Sequence, residues 1–93
     1  MIKSFRSKAL KLFYTKGDES KLPVPSPDRI RRQLAALDAA TLPEQMNIPG
    51  WYYHGLGGTP KRYSIRVTAN WRITFEFDGP DAEVIDIEDY HKK

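Results

Sequence analysis

Apolar residues recur at helical spacing in the first half of the chain and at strand spacing in the second. Residues 1–5 read as a short strand or extended arm. In residues 7–14, Ala9, Leu10, Phe13 and Tyr14 crowd one side of a short helix, which Gly17 ends. Gly17 to Pro27 is a connection rich in Ser, Pro and Asp. Ser26 is the expected cap of a second helix, with Pro27 in its first turn and Asp28 at the positive end of its dipole. Arg29 stands where a capping box would carry Glu or Gln. This helix runs to Ala39 or Ala40, with Ile30, Leu34 and Leu37 inward and Arg29, Arg32 and Asp38 toward water. Pro43 closes any extension, and Asn47 to Gly50 form a turn.

From Trp51 the period falls to two. Trp51 to His54 is a short strand candidate that ends at the glycine-rich stretch Gly55-Leu56-Gly57-Gly58. Arg62–Val67 and Trp71–Phe77 form the clearest pair. Tyr63, Ile65 and Val67 share one face of the first strand, and Trp71, Ile73, Phe75 and Phe77 share one face of the second. A three-residue loop, Thr68-Ala69-Asn70, pairs Val67 with Trp71 and Ile65 with Ile73, with Asn70 suited to a left-handed backbone. A two-residue loop would instead oppose Val67 to Arg72 and split the apolar set between faces. Asp78 to Asp81 is the next turn, and 82–88 form a last strand in which Val84, Ile85 and Ile87 do not alternate cleanly.

The chain has 93 residues, of which 40% are hydrophobic. That suffices for one small folded domain spanning 1–93, and it argues against disorder or a large internal cofactor cavity. The absence of cysteine removes disulfides, thiolate zinc sites, iron–sulfur clusters and thiol catalysis. Two histidines are a poor basis for a metal site, and no cofactor or metal is expected. No apolar run approaches a membrane span, so a soluble cytoplasmic protein without membrane contact is expected.

Charge changes the picture further. The formal net charge is only +3, but it is segregated. Residues 1–16 hold Lys3, Arg6, Lys8, Lys11 and Lys16 without an acid, and residues 61–75 hold Lys61, Arg62, Arg66 and Arg72 without an acid. Residues 76–89 carry seven acids and no base. Such a pattern can draw a polyanion to one face. The longer hairpin loop also sets Arg66 opposite Arg72. Like charges directly across a strand pair are unfavourable. Either an anion such as phosphate sits against both guanidiniums, or the two side chains turn to solvent or to the acidic last strand.

The glycine-rich stretch matches neither a dinucleotide fingerprint nor a P-loop, and there is no nucleophile-elbow pattern. His54 and His91 are the chemistry-bearing pair. Free imidazole titrates near neutrality, so two histidines around a phosphate held by Arg72 would allow phosphodiester cleavage without a metal. One would take the ribose 2′-hydroxyl proton and the other would protonate the departing 5′-oxygen. RNA would be cut and DNA would not. An inert surface role for a histidine near the end of the sequence stands beside this reading.

Several segments together resemble the HigB-type killer toxins of the RelE-like superfamily. They are Met1 to Phe5, Arg31 to Ala40 (especially Leu37-Asp38-Ala39-Ala40-Thr41), Tyr63-Ser64-Ile65-Arg66-Val67, Asn70-Trp71-Arg72-Ile73-Thr74-Phe75 and Glu88-Asp89-Tyr90-His91. The resemblance covers nearly the whole chain in order. It implies an α+β fold with two N-terminal helices packed on a small, mostly antiparallel sheet. It implies a toxin that enters the ribosomal A site of the 30S subunit, beside rRNA, and cuts translated mRNA. The implied partner is a HigA-like helix-turn-helix antitoxin, through which the complex reaches operator DNA. His54, Arg72, Asp89 and His91 match the family's catalytic positions. Lys8, Lys61, Arg62, Arg66 and Tyr90 are the expected RNA contacts, with base stacking open to Tyr52, Tyr53 and Tyr90. The family's usual Leu-His-Pro-Leu-Lys-Gly reads Tyr53-His54-Gly55-Leu56-Gly57-Gly58 here, without the lysine. The competing reading is a noncatalytic nucleic-acid-binding or operon-regulatory subunit that acts with the antitoxin.

Overall fold

The computed structural model describes residues 1–90; His91 to Lys93 lie outside the described residues, and with them the expectation for His91. Ser7 caps the first helix, α1 (Lys8–Lys16), its hydroxyl accepting from the Leu10 amide at 3.1 Å. Gly17 ends the helix at φ 69°, and its amide donates to the Phe13 carbonyl. Leu10 and Phe13 are buried, whereas Tyr14 is exposed at the edge of that stripe.

The second helix, α2 (Asp28–Ala39), departs from expectation at its start. Pro27, not Ser26, is its N-cap residue, already has a helical backbone (φ −83°, ψ −10°), and no side chain caps the helix. Arg29 also corrects its sequence reading, because it turns inward rather than to water. Its guanidinium donates to the carbonyls of Arg66 and Gly50, two acceptors that the strands leave without a ladder partner. Ile30, Leu34 and Leu37 are buried as expected, joined by Gln33. A 3-10 turn, Pro43–Met46, follows and buries Met46.

Four strands, β1 (His54–Gly57), β2 (Arg62–Arg66), β3 (Trp71–Asp78) and β4 (Asp81–Asp89), form an antiparallel sheet in chain order. The hairpin register is the expected one: Ile65 faces Ile73, Arg66 faces Arg72, and the Val67 amide donates to the Trp71 carbonyl. Asn70 is not left-handed, however. The Thr68 hydroxyl closes the loop by accepting from the Asn70 and Trp71 amides. β1 corrects another boundary: His54 opens the strand rather than ending it, and Gly55 and Gly57 flank a bulge. The untidy alternation of β4 also has a cause. A bulge opposite Thr74 to Glu76 places Val84 at φ 52°, so Ile85 and Ile87 both face inward after one extra residue. The N-terminal arm runs parallel to β4, with bridges Ile2–Ala82 and Phe5–Ile85.

Both helices pack on the odd-numbered face of β2 and β3, where Ile65, Val67, Ile73 and Phe75 meet Leu10, Phe13, Ile30, Leu34 and Leu37. Each large side chain removed from water there contributes about 1.5–3 kcal/mol of apolar burial. The even-numbered face is left open for chemistry. Among the described residues, no helix is long and apolar enough to cross a membrane.

Candidate active site

The open face of the sheet carries His54 and Ser64 as one cross-strand pair, Ser64 and Thr74 as the next, and Arg66 and Arg72 beside them. Period-two alternation is what puts them together. Tyr90 joins because its amide donates to the Asn70 carbonyl at 2.6 Å, which folds the end of β4 against the hairpin loop that precedes Arg72. Two adjoining hollows result. One, of about 280 Å³, is lined by Arg72, Thr74, Glu88, Asp89 and Tyr90, together with Leu56 and Ser64. The other, of about 290 Å³, takes in Tyr52, Tyr53 and His54 as well as Ser64, Arg72 and Tyr90.

Arg72 lies over the Tyr90 ring, its Cζ 4.0 Å from the ring centroid. Arg66 lies in the same way on Tyr52, at 4.6 Å. The like-charged pair is therefore supported by two aromatic faces, and neither of the outcomes expected for it is needed to keep it in place. Stacking leaves the edges of a guanidinium, where its donors are, available to an anion.

Arg62 has a different fate. Its guanidinium is tied to Glu88 at 2.8 Å and to the Thr74 hydroxyl at 2.6 Å, with Glu76 at 3.9 Å. Glu88 also accepts from the Thr74 hydroxyl. Burial raises the Glu88 pKa, but the hydrogen bonds from Thr74 and Arg62 and the nearby positive charge together hold it below the ordinary glutamate value. Arg62, an expected RNA contact, forms an internal clasp that joins β2 to β4 beneath the cleft. Lys61, also an expected RNA contact, lies outside the two hollows. It runs beside Gly55 onto the Tyr63 ring, 5.4 Å away, on the face opposite His54 and Arg72. Lys8 begins α1 and does not line the cleft.

The structure places His54 and Asp89 in two adjoining hollows that share Arg72 and Tyr90, and sets Arg66 beside them on Tyr52. Ser64, Thr74 and Glu88 were not singled out from the sequence, although their positions on the polar face of the strands were the available signal. The Ser64 hydroxyl is buried and has no hydrogen-bond partner among the described residues.

Residues 3–91 match the family described as the RelE-like toxin of the type II toxin-antitoxin system HigB. The chain belongs to the HigB-like toxin family. A curated relative, the endoribonuclease HigB of Proteus vulgaris, is 47% identical over 92 residues, covering 98% of this chain and 100% of that protein. As a HigB-like toxin, the protein is one member of a toxin-antitoxin pair, which makes an antitoxin its partner. The two helices on a four-stranded antiparallel sheet are the α+β, RelE-like arrangement that the resemblance implied. The glycine-rich segment that departs from the family's usual text forms the edge strand of the HigB-like sheet, and Leu56 from it lines both hollows.

Proposed function

We propose that this HigB-like toxin is a single-domain, ribosome-dependent endoribonuclease that cuts translated mRNA in the A site and so inhibits translation. The observation that carries the reading is that Arg72 and Tyr90 line two adjoining hollows, one taking in His54 and the other Asp89, on a toxin-family fold. The activity named for the Proteus vulgaris relative supports it. The protein acts in the cytoplasm, where its substrate is. Its partner is a HigA-like helix-turn-helix antitoxin, and operator DNA is reached only through that complex.

Arg72 binds the scissile phosphate. Its guanidinium, oriented by Tyr90, faces the charge that grows on the phosphoryl oxygens in the pentavalent transition state. A general base removes the 2′-hydroxyl proton, O2′ attacks phosphorus, and the P–O5′ bond breaks. The products are a 2′,3′-cyclic phosphate and a free 5′-hydroxyl, whose proton comes from a general acid. His54 and His91 share these two proton-transfer roles, and Asp89 completes the catalytic set. The ribosome supplies the mRNA in a geometry that exposes one phosphate to the cleft.

The test is induction without antitoxin, with mapping of mRNA 5′ ends on ribosomes. Arg72→Ala should lower cleavage about 100- to 1,000-fold, the usual loss when one transition-state donor is removed. Arg72 is only half-buried and makes no ion pair among the described residues, so its replacement should leave the fold intact. Equal cleavage by the folded variant and the unmodified protein would end the phosphate role of Arg72.

A further inference from the structure

Tyr52 and Arg66 form a second cation–aromatic pair beside the one that Arg72 and Tyr90 make. Tyr52 is 61% exposed and lines the hollow shared by His54, Arg72 and Tyr90. Its backbone is left-handed, at φ 50°. A bulky residue in that region is strained, and a ring left in solvent recovers little of the cost by burial. The segment is nevertheless firmly held. The Arg66 amide donates to the Trp51 carbonyl at 2.7 Å, and Arg29 binds the Gly50 carbonyl. The Arg66 carbonyl in turn accepts from the side chains of Gln33, at 2.7 Å, and Arg29, at 3.3 Å. Helix α2 thus anchors the backbone on both sides of the pair while the ring faces the cleft.

Arg66 makes no ion pair with a carboxylate among the described residues, and its Nε–H is buried without a partner. It faces Arg72 across adjacent strands, which lie about 4.8 Å apart. Two guanidiniums, each backed by a tyrosine, therefore stand side by side on the open face.

We propose that Tyr52 and Arg66 form a nucleotide subsite, in which Tyr52 stacks on an mRNA base flanking the scissile phosphate and Arg66 holds the neighbouring phosphate. The subsite rests on the endoribonuclease reading and extends it from one phosphate to two consecutive nucleotides. Every base offers a π-face, so this contact adds affinity with little choice of sequence.

The experiment uses ribosomes programmed with mRNA carrying a 2′-deoxy nucleotide at the cleavage position, which can be bound but not cut. A matched cleavable mRNA is run in parallel. Tyr52→Ala should weaken toxin binding about 5- to 150-fold, the range for loss of one base–aromatic stack. Tyr52→Phe should stay within about twofold, because the ring survives. Tyr52→Gly, which suits a left-handed backbone, should match Tyr52→Ala and separates the effect from misfolding. An abasic nucleotide placed on one side or the other of the cleavage position should weaken the unmodified protein and leave Tyr52→Ala no weaker. Near-equal binding by Tyr52→Gly and the unmodified protein, or equal abasic losses in both, overturns the subsite. If the unmodified protein binds but leaves the cleavable mRNA intact, the nuclease reading fails, and the Tyr52 binding series still decides the subsite.

Discussion

Replacing Arg62 with alanine should unfold this protein far more readily than it disturbs RNA binding. Arg62 is three-quarters buried and gives one guanidinium nitrogen to both Glu88 and Thr74, with Glu76 close by. Its removal deletes charge-assisted hydrogen bonds, each worth about 1.5–3 kcal/mol. It also leaves Glu76, only 14% exposed, without its nearest positive charge. Breaking a fully buried pair costs about 3–5 kcal/mol, but the Glu88 side chain is 42% exposed and regains part of its hydration. The net loss is therefore about 2–4 kcal/mol. In a domain of this size that lowers the melting midpoint by about 10–25 °C. Urea and thermal unfolding measure the effect, and a double-mutant cycle with Glu88→Gln isolates the pairwise share. A stability change below about 0.5 kcal/mol, accompanied by a salt dependence of ribosome binding shallower by about one ion, would refute the clasp. Arg62 would then be a phosphate contact after all.

Two further outcomes follow from the same structure. Because Glu88 titrates lower in the folded chain than the free value of 4.5, its contribution to stability is complete above that value and is lost as pH falls through the folded pKa. Unfolding midpoints measured from pH 6 down to pH 3 should therefore fall less steeply in Glu88→Gln than in the unmodified protein; parallel curves would contradict the assignment. Gly17→Ala should cost about 1 kcal/mol by denaturant titration, since φ 69° strains any Cβ although nothing stands within 4 Å of it. A neutral result there would mean that the end of α1 rearranges freely.

The hairpin was readable because only one loop length keeps Ile65, Val67, Ile73 and Trp71 on a single face, and a one-residue slip would expose them all. That constraint also fixed Arg66 opposite Arg72. β4 was not readable, since its bulge at Val84 depends on a left-handed β-branched residue that sequence preference disfavours. β1 was displaced because glycines carry no strand signal, and a ladder to β2 overrides their weak propensity. The charges of Lys61 and Arg62 were visible but their directions were not: Lys61 closes the turn before β2 and Arg62 opens the strand, and each found a local partner, an aromatic ring in one case and acids in the other. The Tyr52–Arg66 stack joins positions 14 apart through a turn whose geometry α2 dictates, so no local pattern announces it.

The parallel bridges Ile2–Ala82 and Phe5–Ile85 join segments about 80 residues apart, and the Ile2 amide also donates to Asp38 near the end of α2. The arm thus pins the second helix to β4, the strand whose end carries Tyr90 against Arg72. Contacts so distant in sequence carry a high loop-closure cost, which slows folding.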